Sequence, residues 1–110
     1  MATIDDFLNL DIRIGTVVEA EDFPEAKKPA IKLKIDFGTT IGIKQSSAQI
    51  TKRYESKSLI GRQVVAVVNF PPRRIAGFRS EVLVLGGVQE EGDVILLAPD
   101  TQVQNGTPIA

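Results

Sequence analysis

The chain has 110 residues, 43% of them hydrophobic and 25% charged, with a formal net charge of -1. These are the proportions of a single folded, soluble domain able to bury a core without staples, and they exclude disordered, collagen-like and membrane-spanning classes. Neither cysteine nor histidine occurs, so disulfides, thiolate or imidazole catalysis and the usual ligands of zinc and iron–sulfur groups are absent, and the chain is read as a non-enzyme without metal or other cofactor.

The start, MATIDDFLNL, carries two acids where a signal peptide needs bases ahead of an apolar core. No run approaches the roughly 20 apolar residues of a membrane span, so a cytoplasmic protein without membrane insertion is expected. Thr3 and Asp6 form a capping-box-like start, and Ile4, Phe7 and Leu8 make one apolar stripe of a helix too short to stand alone. It must dock, on its own domain or across a twofold interface with VQNGTPIA nearby.

LDIRIGTVVEAEDF alternates with a period of two, which predicts a half-buried strand with Ile12, Ile14, Thr16, Val18 and Ala20 inward. FPEAKKPA breaks the pattern with two prolines and is predicted as a loop. AIKLKIDFG places Ile31, Leu33, Ile35 and Phe37 inward, and after the turn Gly38-Thr39-Thr40 a third strand carries Ile41 and Ile43 inward and ends near Lys44. SSAQITKRY predicts a helix of about two turns capped by Ser46 or Ser47. RQVVAVVNF and EVLVLGG read as central strands, and GDVILLAP as one more entered through Glu91-Gly92-Asp93. Five strands with a helix between the third and fourth, an extra C-terminal strand and a short N-terminal helix match an all-β OB-type Greek-key barrel, as a single domain over 1–110. A small sandwich or SH3-like barrel accounts less well for the helix.

The net charge hides segregation. Residues 1–25 sum to -6, residues 26–80 to +10 and residues 81–110 to -5. A basic centre between acidic ends suits an anionic partner, although charges alternating along solvated strands would give the same totals. In OB folds the ligand face uses strands two and three with the loops after strands one and four. That frame collects Lys27, Lys28, Lys32, Lys34, Lys44, Arg73, Arg74 and Arg79 on one side, with Gln45, Ser46 and Ser47 adjoining.

The stretch NFPPRRIAGFRS mixes arginines with apolar residues. Cations with Phe78, and Phe70 if outward, could grip phosphates and stack bases of a single strand, although five Phe, one Tyr and no Trp make a sparse platform. Alternatively Phe70, Pro71, Pro72, Ile75 and Phe78 with Arg73 and Arg74 form a greasy, arginine-rimmed groove for extended polypeptide. Phe78 could equally plug one barrel end, and the arginines could pair with acids such as Glu81.

LDIRIGTVVEAEDFPEA, IKQSSAQI and NFPPRRIAGFRSEVLVLGG resemble the tRNA-binding-domain superfamily. Within it, the chain over its length, including PDTQVQNGTPI, is similar to the bacterial CsaA-type export-related chaperones. The resemblance implies an OB fold, a homodimer, and binding of unfolded or precursor polypeptides in the bacterial cytoplasm, and leaves room for delivery to the secretion machinery. Phe70, Pro71 and Ala76 stand where the tRNA-binding branch favours an aliphatic residue and two basic ones. These departures shift the expectation from tRNA toward polypeptide, while Arg73, Arg74, Gly77 and Ser80 keep the shared pattern and with it a capacity for tRNA. A purely structural dimer without ligand is the third alternative.

Overall fold

The computed structural model describes residues 1–110. The chain opens with helix α1 (Ile4–Leu8), then runs through β1 (Ile12–Asp22), β2 (Ile31–Asp36) and β3 (Ile43–Ala48). Helix α2 (Ser56–Leu59) leads into β4 (Gln63–Val67) and the hairpin β5 (Arg73–Ile75) and β6 (Phe78–Ser80). Strands β7 (Leu83–Val84), β8 (Gly86–Glu90) and β9 (Asp93–Leu96) complete the order. Five antiparallel strands form one sheet in the order β3-β2-β1-β4-β7, curled into a nearly closed barrel as expected of an OB fold. Bonds between β3 and residues 79–82 span part of the remaining gap, among them Glu81 N–H to Gln45 C=O at 2.8 Å.

The alternation of AIKLKIDFG holds throughout: Ile31, Leu33, Ile35 and Phe37 are all buried in the core, with Leu59 of α2 and Val64 and Ala66 of β4. β1 keeps only part of its predicted face: Ile14 is buried and Ala20 packs on the core, but Val18 does not turn inward. Val17 is 1% exposed and Val18 38%, because pairing with β2 slips between Val17↔Ile35 and Glu19↔Lys34, a bulge that inserts one residue and exchanges the faces. Before the bulge the interior face belongs to Gly15 and Val17. A side chain at Gly15 would meet Ile35 and Phe37 at 2.7 Å, so glycine there lets two strands approach around the barrel.

The predicted helix after Lys44 is also corrected. β3 continues through Ala48; Ile43 faces solvent and Ser46 is buried, its hydroxyl donating to the Val82 carbonyl at 2.9 Å. Neither Ser46 nor Ser47 caps a helix, since their backbone pairs with Leu33 and Lys32 of β2. Helix α2 lies ten residues later, held by burial of Leu59. EVLVLGG proves to be two edge pieces: the chain pivots at Leu85, whose N–H donates to Val65 while its carbonyl accepts from Leu97.

The termini are tied to the barrel. Thr3 and Asp6 form the expected capping box. Asn69 accepts from Asp11 N–H and donates to the Asn9 carbonyl, both at 2.9 Å, fixing the exit of α1 against the end of β4. Residues 106–109 run beside β1, with Ile14 and Ile109 N–H donating to Thr107 and Ile12 carbonyls at 2.9 Å. No helix is long and apolar enough to cross a membrane.

Candidate functional site

NFPPRRIAGFRS folds largely as the β5–β6 hairpin, with Ala76 and Gly77 at its tip. Both have positive φ, 48° and 80°, the geometry of a two-residue turn whose twist matches the flanking strands. Gln45 fastens this hairpin to β3, its side-chain amide donating to the Arg79 carbonyl at 2.9 Å, while Ser47 N–H donates to Ser80 Oγ at 3.1 Å. Two surfaces lie on either side of this junction.

The larger is a groove of about 860 Å³ between the loop after β1, the end of β3, the hairpin and the β7–β8 segment. Its apolar lining includes Ala48, Ile50, Ile75, Leu83, Leu85, Val88 and Val94, and its polar rim Lys27, Lys28, Arg73 and Arg74, with Glu25 the one carboxylate. None of the four cations forms a salt bridge. Glu81, the acid nearest in sequence to the arginines, instead accepts from Gln45 N–H at 3.1 Å.

The smaller surface lies over β1 and β2 and holds Lys32, Lys34, Glu19, Glu21, Gln45, Ile60 and Phe78. Here the register sets Glu19 opposite Lys34 and Glu21 opposite Lys32, and the ammonium groups lie 3.1 and 3.9 Å from those carboxylates. The Lys32 ammonium also sits 4.5 Å from the Phe23 ring centre and 5.2 Å from that of Phe78, the two rings meeting edge to face at 5.5 Å. Phe78 is therefore half-buried against Phe23 beneath a lysine, an intermediate between the plug and the open platform.

The sequence-identified residues divide accordingly. Lys27, Lys28, Ser47, Arg73, Arg74 and Ile75 share the groove, whereas Lys32, Lys34, Gln45 and Phe78 share the smaller surface. Phe70, Pro71, Pro72, Lys44 and Arg79 line neither, though all but Lys44 are well exposed, and Ser46 is withdrawn into the core. The groove's floor from β3, β7, β8 and β9 was not identified from sequence; the available signal was EVLVLGG, an apolar run broken by paired glycines.

The chain matches the family model described as "Putative tRNA binding domain" over residues 12–108. It is 39% identical over 109 residues to the methionine–tRNA ligase of Methanococcoides burtonii and 36% over 105 to that of Porphyromonas gingivalis, covering 99% and 96% of this chain. It spans only 16% and 15% of those two proteins. Among solved structures it is similar to the chaperone CsaA from Bacillus anthracis, at 66% identity and a TM-score of 0.96, covering 100% of this chain and 99% of that one. The CsaA chaperone protein from Picrophilus torridus follows at 54% and 0.93, with both chains fully covered. The chain thus belongs to the tRNA-binding-domain family, and within it is similar over its full length to CsaA chaperones.

Proposed function

We propose that the protein is a non-enzymatic, dimeric chaperone of the CsaA type, binding unfolded or precursor polypeptides in the groove rimmed by Lys27, Lys28, Arg73 and Arg74. The observation that carries this reading is a groove whose walls are apolar and whose cations are unpaired. Burial of a ligand's apolar side chains supplies a driving force without regard to sequence, offset in part by the cost of ordering the ligand, and the rim attracts acidic segments. Full-length similarity to two CsaA chaperone structures supports it.

The N-terminal helix supports the homodimer in this reading. Ile4 and Leu8 remain 69% and 67% exposed, and Leu8 lines a shallow depression with Phe7, Leu10, Pro108 and Ile109. This apolar face is continuous between the two termini, and a second copy would cover it. Two grooves on one particle would bind a long unfolded chain with avidity. Action in the cytoplasm and hand-over to the secretion machinery complete the reading.

Binding of tRNA on the same rim is the second reading, favoured by the family match and by the four free cations. Parallel titrations with a fluorescent unfolded polypeptide and with bulk tRNA, each at low and high salt, separate the two. Polypeptide binding that resists salt, with weak and salt-labile tRNA binding, supports the chaperone. Tight tRNA binding without polypeptide binding overturns it.

A further inference from the structure

The wall of the groove formed by β7 and β8 is a strand edge with unused backbone groups. Leu85 N–H donates to Val65 of β4 and the Leu85 carbonyl accepts from Leu97 next to β9, so both neighbours lie on one side of the chain at this point. In an antiparallel ladder consecutive residues turn their N–H and C=O groups to opposite sides. Val84, which faces Ala66, and Gly86, which faces Leu96, therefore both turn their backbone groups away from β4 and β9. Both residues line the groove, and neither donates to nor accepts from a loop or side chain. Two donors and two acceptors at positions i and i+2 are the template for an added strand.

Resting on the polypeptide reading above, we infer that the groove takes its ligand as an added β-strand, an extended segment paired with Val84 and Gly86. Its apolar side chains lie on Ile75, Leu83 and Val88, and an acidic residue meets Arg73 or Arg74. Backbone pairing is blind to sequence, which suits a protein that must hold many unfolded chains. A side chain at Gly86 would meet Val94 and the Ile95 carbonyl at 2.6 and 2.8 Å, so glycine there lets β9 pack closely behind the edge. The four rim cations against one carboxylate select extended segments with negative rather than positive charge.

The test uses the full chain and a capped nine-residue peptide of alternating leucine and serine ending in two glutamates. Two further versions carry N-methyl groups on the leucine or on the serine amides. In an added strand only one of these sets faces the Val84–Gly86 edge, so one version should lose two hydrogen bonds and bind at least about fivefold more weakly, and the other nearly as well as the parent. Hydrogen exchange at Val84 and Gly86 amides should slow in the saturated complex. Equal binding of all three peptides, or unchanged exchange at both amides, overturns strand addition while leaving polypeptide binding intact. A parent peptide that does not bind sinks both readings, and a fall in molecular mass on adding peptide assigns this edge to a second copy instead.

Discussion

The two surfaces beside the β5–β6 hairpin are made of the same kinds of residue and behave differently. Over β1 and β2, Lys32 and Lys34 are matched across the ladder by Glu21 and Glu19, and Lys32 is further held over Phe23 and Phe78. In the groove, Lys27, Lys28, Arg73 and Arg74 have no such partners and border an apolar floor. A lysine stripe on a strand is thus no evidence of an anion site until the neighbouring strand is known, because a cross-strand carboxylate can cancel it. Lys27 and Lys28 lie on a loop, and in the β5–β6 ladder Arg73 and Arg74 face Ser80 and Arg79, neither of which is a carboxylate.

The largest effect that sharpens this contrast is expected at Phe23, which is buried and carries both Phe78 and Lys32. Phe23→Ala should cost about 3–5 kcal/mol in denaturant unfolding; a loss below about 1 kcal/mol would show that the smaller surface does not depend on that ring. Arg73→Ala combined with Arg74→Ala should lower the magnitude of the tRNA salt slope by about 1.4–1.8, corresponding to two phosphates. The slope of the double variant against salt decides it, and an unchanged slope removes these arginines from any phosphate site. Lys34→Gln should by contrast leave tRNA affinity within about twofold and stability within about 1 kcal/mol, because its exposed pair with Glu19 is worth little. A drop in tRNA affinity comparable to that of the arginine variants would abolish the distinction between the surfaces.

The smallest effect concerns a third ion pair, away from both. Arg53 donates two hydrogen bonds to Asp93, at 3.0 and 2.9 Å, joining the segment after β3 to the β8–β9 hairpin. The bond from Arg53 holds the Asp93 carboxyl below its usual range. A depressed folded value means that the pair's contribution is present above about pH 3.9, the ordinary carboxylate value, and is lost as pH falls through the lower folded value. Asp93→Asn should flatten this part of the acid unfolding profile and leave stability near neutrality slightly reduced. A profile identical to that of the unaltered protein would show that the pair contributes nothing measurable.

Much of the fold was legible because its signals are local. The alternation of Ile31, Leu33, Ile35 and Phe37, the turn glycines and the Thr3–Asp6 cap each act within a few residues. What escaped depends on distant partners. The Val17–Val18 bulge exists because of how β2 pairs, and no feature of VVEA announces it. Ser46 and Ser47 look like helix caps until Val82 and Ser80 claim Ser46 Oγ and Ser47 N–H across the barrel gap. The same limit applied to the site: Arg73, Arg74 and Ile75 were identifiable as an unusual mixture, but the floor supplied by Leu83, Leu85, Val88 and Val94 required the chain to leave one sheet for another at Leu85.

The central claim is that unfolded polypeptide binds in the groove and not on the lysine–glutamate surface. Backbone amide chemical shifts of the labelled protein, followed during titration with an unfolded polypeptide, test it most directly. The account predicts shifts concentrated at Lys27, Lys28, Arg73–Ile75 and Leu83–Val88, with Glu19–Glu21 and Lys32–Lys34 nearly still. Shifts centred on Lys32, Lys34 and Phe78 would contradict it.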